Sequence, residues 1–140
     1  MNYSNDVKNW EDFKVGDVAR FAKTVTSSDV VFWCGITGDM NPMHLDSEYS
    51  KGTRFGKIIV PGVYVLGFIS ATISKLALGH IYAQQNIRFK KPVYVDDTIT
   101  AEVSLIEKLE DKRMLRLATK CFNQNGDVVL DGEALHYIQN

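Results

Sequence analysis

Cysteine is scarce in this chain. Cys34 and Cys121 are the only two among 140 residues, so no disulfide framework holds the fold, and without CxxC spacing they mark neither a redox motif nor a zinc site. Histidine numbers only three, and His80 and His136 stand at no ligand spacing from His44. A metal site of Asp39, His44 and Asp46 is therefore the weakest reading of those residues, and no metal is expected. A surplus of positive charge is also missing. Sixteen Lys and Arg face seventeen Asp and Glu, a formal net charge of -1, whereas a protein that neutralises phosphates along a nucleic acid carries a basic excess. The opening MNYSNDVKNWEDF has no apolar h-region, which makes a cytoplasmic protein the expectation rather than a secreted one.

Long hydrophobic runs are few. The longest, Gly62 to Leu78, barely reaches the ~17–25 residues that a bilayer requires. It carries Ser70, Thr72, Ser74 and Lys75 and has no basic flank, so a membrane is not an expected partner. Apolar on nearly every side, it reads instead as a helix buried inside a soluble fold. No repeat, low-complexity tract or linker interrupts the chain. With 45% hydrophobic and 24% charged residues, residues 1–140 read as one domain, with 1–15 as a short N-terminal arm.

Val18 to Val25 reads as a strand, and Ser27 or Ser28 as the cap of a short helix through Ile36. Thr37 to Pro61, with Gly38, Pro42, Gly52 and Gly56, reads as irregular, with one helical turn after Asp46 and Ser47. Pro61 suits the start of the apolar helix and Gly79 its C-terminal cap. The period then becomes two: Gln85, Ile87 and Phe89; Ile99, Ala101, Val103 and Leu105; Leu115, Leu117, Thr119 and Cys121. Turn signals fall at Glu110-Asp111 and Asn125-Gly126, and a last strand spans Val128 to Ile138. One apolar helix with half-buried antiparallel strands predicts an α+β domain, a curved antiparallel sheet wrapped around a central helix. A sheet edge left bare by such a fold favours a dimer.

The chemistry-bearing stretch is Phe32 to Ser70. Asp39 and His44 stand five apart, about 140° apart on a regular helix at ~100° per residue. Gly38 and Pro42 argue for an ordered loop on which both side chains converge. A carboxylate beside an imidazole can hold a water and move protons near neutral pH. The same Asp-x-Asn-Pro pattern is also an ordinary turn, its Asp and Asn capping backbone N–H groups.

The run Gly38-Asp39-x-Asn41-Pro42-x-His44-x-Asp46, then Phe55-Gly56-Lys57-x-Ile59-Val60, then Gly62 opening the helix resembles the signature of the MaoC-like family, (R)-specific enoyl-CoA hydratases and dehydratases of hot-dog fold. Ile87-Arg88-Phe89-x-x-Pro92-Val93 and Asp97-x-x-x-Ala101-Glu102-Val103 extend the likeness over most of the chain. One departure is visible: many relatives have His-Gly at the helix entrance where this chain has Pro61-Gly62. The resemblance implies that Asp39 and His44 hold the water that adds across the 2,3 double bond of an enoyl thioester. The Gly62 backbone N–H would face the thioester oxygen as charge builds. Asn41 would fix the loop, and Ser70 would orient the catalytic groups. Lys57, Arg88, Lys90 and Lys91 are candidates for coenzyme A phosphates, though a solvated strand edge explains any one of them. Tyr64, Phe68, Trp33 and Phe32 are candidates for an acyl tunnel or simply for the core, and Cys34 and Cys121 read as core. The expected partners are an acyl-CoA or acyl-carrier-protein thioester and further copies of the chain, as a homodimer or an assembly of dimers. No separate cofactor is implied, because coenzyme A is part of the substrate. A hot-dog acyl-CoA thioesterase and a non-catalytic acyl-CoA-binding module are the competing readings.

Overall fold

The computed structural model describes residues 6–139. Five antiparallel strands, β1 (Val18–Thr24), β2 (Ile81–Phe89), β3 (Thr98–Leu109), β4 (Met114–Phe122) and β5 (Val128–Tyr137), form one open sheet in the order β1-β3-β4-β5-β2. Helix α1 (Ser27–Thr37), two short helices α2 (Pro42–Leu45) and α3 (Ser47–Lys51), and the long α4 (Gly62–Leu76) lie between β1 and β2. The sheet wraps α4, which packs on β1, β3, β4 and β2. This is the α+β hot-dog arrangement in a single domain.

The alternation in β3 and β4 is realised in full. Ile99, Ala101, Val103 and Leu105 and, opposite them, Leu115, Leu117, Thr119 and Cys121 are all buried. On the outer face a row of alternating charge crosses every strand: Arg20, Glu102, Lys120, Asp131 and Arg88 are successive cross-strand neighbours. Such pairs contribute roughly 0.2–1 kcal/mol each. Their larger effect is on register, since a one-residue slip would turn the whole row into the core. β2 does not pair with the next strand in sequence. Residues 90–97 carry the chain across to the far side of the sheet, held to the 59–60 segment by Val60 N–H to Val93 O at 2.8 Å and an Ile59–Tyr94 bridge.

Several local expectations change. The cap of α1 is Thr26, not Ser27 or Ser28: Thr26 Oγ1 accepts from Asp29 N–H at 3.1 Å and Asp29 returns the bond to Thr26 N–H at 2.8 Å. This capping box lets the helix start one residue earlier. The segment 37–61 holds two short helices rather than one turn, because Asn41 and Asp46 each cap one. α4 ends at Leu76 with Ala77 as its cap, and Gly79 supplies a left-handed turn (φ 80°) beyond it. Nor is α4 enclosed on all sides. Val65, Phe68, Ile69, Thr72, Ile73 and Leu76 form the buried stripe, while Val63, Gly67, Ala71, Ser74 and Lys75 are exposed.

Of the N-terminal arm, residues 1–5 lie outside the described residues. Trp10 and Phe13 are buried, and Trp10 Nε1 donates to Glu110 at 2.8 Å, so this part of the arm is docked against the β3–β4 hairpin. Among the described residues no helix is long and apolar enough to cross a membrane.

Candidate active site

The Asp39–His44 loop is built from its caps. Gly38 takes φ 78° at the C-terminus of α1, where its N–H donates to Cys34 O at 2.9 Å; the left-handed turn suits glycine and ends the helix. Asp39 then turns back: its N–H donates to Thr37 Oγ1 and its Oδ1 accepts from Asn41 N–H, both at 3.3 Å. Asn41 Oδ1 accepts from Met43 N–H at 3.1 Å, and Pro42 occupies the first turn of α2. That single turn points His44 inward, leaving its side chain 11% exposed against 43% for Asp39.

His44 Nδ1 lies 2.7 Å from Ile59 O. A carbonyl only accepts, so Nδ1 carries the proton and Nε2 presents its lone pair in the neutral ring. Asp39 Oδ2 is 4.0 Å from that Nε2, too far for a direct hydrogen bond but within reach of one shared water about 2.8 Å from each.

Asp39, His44 and Gly62 line the same cavity, of about 380 Å³, within the usual range for a small-molecule site. Its interior is apolar, with Val60, Val65, Val93 and Leu130, and its cations are Arg54, Lys90 and Lys91. Gly62 opens α4. Tyr64 and Val65 are the first residues of the helix whose N–H groups reach back, both to Pro61 O. The Gly62 and Val63 N–H groups precede them at the positive end of the helix dipole, at the cavity wall.

The other sequence candidates separate. Asn41 serves the loop as its cap. Ser70 lies two turns into α4, about 12 Å along the axis from Gly62 at ~1.5 Å per residue, and is not among the residues lining the cavity. Lys90 and Lys91 line the cavity, each beside a carboxylate: Lys90 is 3.6 Å from Asp131 and Lys91 2.6 Å from Asp127. Lys57 instead stacks on Tyr94 at 4.0 Å, and Arg88 faces Asp131 on the outer sheet. Trp33, Tyr64 and Phe68 pack edge-to-face on one another and not on the cavity. Phe32 is not core, being 70% exposed. Cys34 and Cys121 are buried. Burial, then the Asp39 charge, pushes the Cys34 thiol up, and burial pushes Cys121 up to about 12. The Ile59 carbonyl, a backbone group, had no sequence signal, and Phe89, which the alternation assigned to a buried face, is 57% exposed at the cavity.

The chain is also similar to known proteins. The chain is 39% identical to a 3-hydroxybutyryl-CoA dehydratase of Methylorubrum extorquens, over 90% of this chain and 81% of that protein. It is 38% identical to a mitochondrial 3-hydroxyacyl-[acyl-carrier-protein] dehydratase of Solanum lycopersicum, over 86% and 74%. Among solved structures it superimposes on the (R)-hydratase of A. caviae involved in PHA biosynthesis with a TM-score of 0.87 and 33% identity, over 91% of this chain and 98% of that one. With a MaoC-like domain model matching residues 13–122 as well, the chain belongs to the MaoC-like family of hydratases and dehydratases.

Proposed function

We propose that this enzyme reversibly adds water to trans-2-enoyl thioesters, giving (R)-3-hydroxyacyl thioesters. The observation that carries this reading is the 4.0 Å approach of Asp39 Oδ2 to the unprotonated Nε2 of His44 on a cavity that Gly62 also lines. A water held between the two loses a proton to the dyad as its oxygen bonds to C3. The C2=C3 electron pair moves toward the thioester, and the charge reaching its oxygen meets the Gly62 and Val63 N–H groups. The dyad then returns a proton to C2, so that one water is added overall. The apolar interior suits an acyl chain and the cations at the cavity suit the phosphates of its carrier.

Purified enzyme with crotonyl-CoA should remove the enoyl absorbance, release no free thiol and yield the (R)-alcohol. Thiol release would favour the thioesterase reading instead. β1 and β2 are the sheet's edges, and α4 leaves one face open, so the working form is a homodimer. Light scattering should give twice the 15.8 kDa chain mass, and a stable monomer at micromolar concentration would count against it.

A further inference from the structure

Phe89 ends β2 and is 57% exposed beside the cavity. The backbone beneath it is fixed, since Phe89 pairs with Leu130 and the next residue, Lys90, donates its N–H to Val129 O at 2.9 Å. The ring lies against Gly62. A Cβ built on Gly62 would fall 2.4 Å from Phe89 Cε1, 2.8 Å from Cδ1 and 2.9 Å from Cζ, well inside the ~3.5–4.0 Å of ordinary carbon contact. Gly62 has ordinary helical backbone without positive φ. Glycine therefore matters here for space rather than for conformation, and the space it leaves is filled by the Phe89 ring.

We infer that Phe89 is a positioning residue for hydration, acting through Gly62. This rests on the hydratase reading of the cavity. The ring covers Gly62 at the first turn of α4, so the Gly62 N–H faces the thioester oxygen rather than bulk water. Donors screened from solvent stabilise developing charge more strongly, and they need no reorganisation as the charge appears. Gly62 and Phe89 are thus a matched pair: the small residue admits the ring, and the ring shields that donor.

Two measurements test this. In crotonyl-CoA kinetics, Phe89→Ala should lower kcat about tenfold with KM changed less, a fraction of the ~10²–10³ that loss of a whole oxyanion donor costs. Phe89→Leu, which still covers the flank, should stay within about threefold of wild type. In thermal melts, Gly62→Ala should lower Tm, and adding Phe89→Ala should restore part of that loss. A kcat for Phe89→Ala within twofold of an active wild type overturns the positioning role while leaving the hydratase reading intact. Equal destabilisation of Gly62→Ala with and without Phe89→Ala overturns the matched pair. A wild type that does not hydrate enoyl thioesters overturns the hydratase reading and the positioning role together, and the melts still report on the contact.

Discussion

Removing the Asn41 side chain tests how the loop holds His44. α2 is a four-residue helix, far too short to persist on its own propensity. Three things support it: Pro42 at its start, the Asn41 Oδ1 bond to Met43 N–H at 3.1 Å, and the Ile59 carbonyl on His44 Nδ1 at 2.7 Å. Asn41→Ala deletes the cap, a loss of about 1 kcal/mol. If the cost falls on the turn itself, the ratio of ordered to frayed α2 drops about fivefold, since ~1.4 kcal/mol is a factor of ten. Hydration should then lose up to about fivefold in kcat/KM, and Tm should fall by roughly 3 °C for a domain of this size. Asn41→Ser keeps an oxygen in capping position and should recover most of both. The assay is crotonyl-CoA hydration beside a thermal melt of the same preparations. Full activity and stability in Asn41→Ala would refute the cap as the support of the turn. A serine variant no better than alanine would show that some other property of Asn41 matters.

Three further outcomes follow from other parts of the molecule. A Cβ on Gly132 would lie 1.9 Å from the Asn86 carbonyl oxygen, a backbone atom of the adjoining strand that cannot swing aside. Gly132→Ala should therefore cost about 3 kcal/mol or more in denaturant unfolding, at or above the usual overpacking range, and a wild-type midpoint would contradict this. His136 is 3% exposed, donates from Nε2 to Ala77 O at 3.3 Å and leaves Nδ1 without a partner. Burial first, with His80 nearby, lowers its pKa, so below about pH 6.5 the unfolded chain binds a proton that the folded one resists. Stability should fall with pH there by up to about 1.4 kcal/mol per unit, and His136→Gln should flatten that slope; an unchanged slope would exclude His136 as its source. Cys121, with its thiol pushed up to about 12 by burial, should react with iodoacetamide at pH 8 only after unfolding, and rapid native labelling would contradict its inert role.

The parts of the fold legible in sequence are those governed by local pattern. Ile99 to Leu105 and Leu115 to Cys121 alternate and are buried as expected, and Asn125-Gly126 makes its turn with Gly126 at φ 80°. Pairing order was not legible. β2 joins β5 at the far edge, and the crossover that follows is held by non-local contacts between residues 59–60 and 93–94, which no period records. The exposed face of α4 was hidden for a related reason: Val63, Gly67 and Ala71 look like core wherever the sheet ends. At the site, the motif marked Asp39, His44 and Gly62, and all three line one cavity. The motif also pointed to Ser70, which is not among the residues lining that cavity. The tautomer of His44 is set by a backbone oxygen fifteen residues on. The fit of Phe89 to Gly62 depends on where a strand end meets a helix start, a three-dimensional relation with no residue spacing to announce it.

The central claim is that Asp39 and His44 act together on one water, and a double-mutant cycle in crotonyl-CoA hydration tests it most directly. Asp39→Asn and His44→Ala should each lower turnover by about 10²–10⁴, the usual contribution of positioned acid–base groups. The double variant should be little worse than either single one, because groups that act as a unit are lost together. Circular dichroism should be unchanged in all three. Single variants within a few-fold of wild type, with the fold intact, would contradict the dyad and leave the cavity as an acyl-thioester binding site.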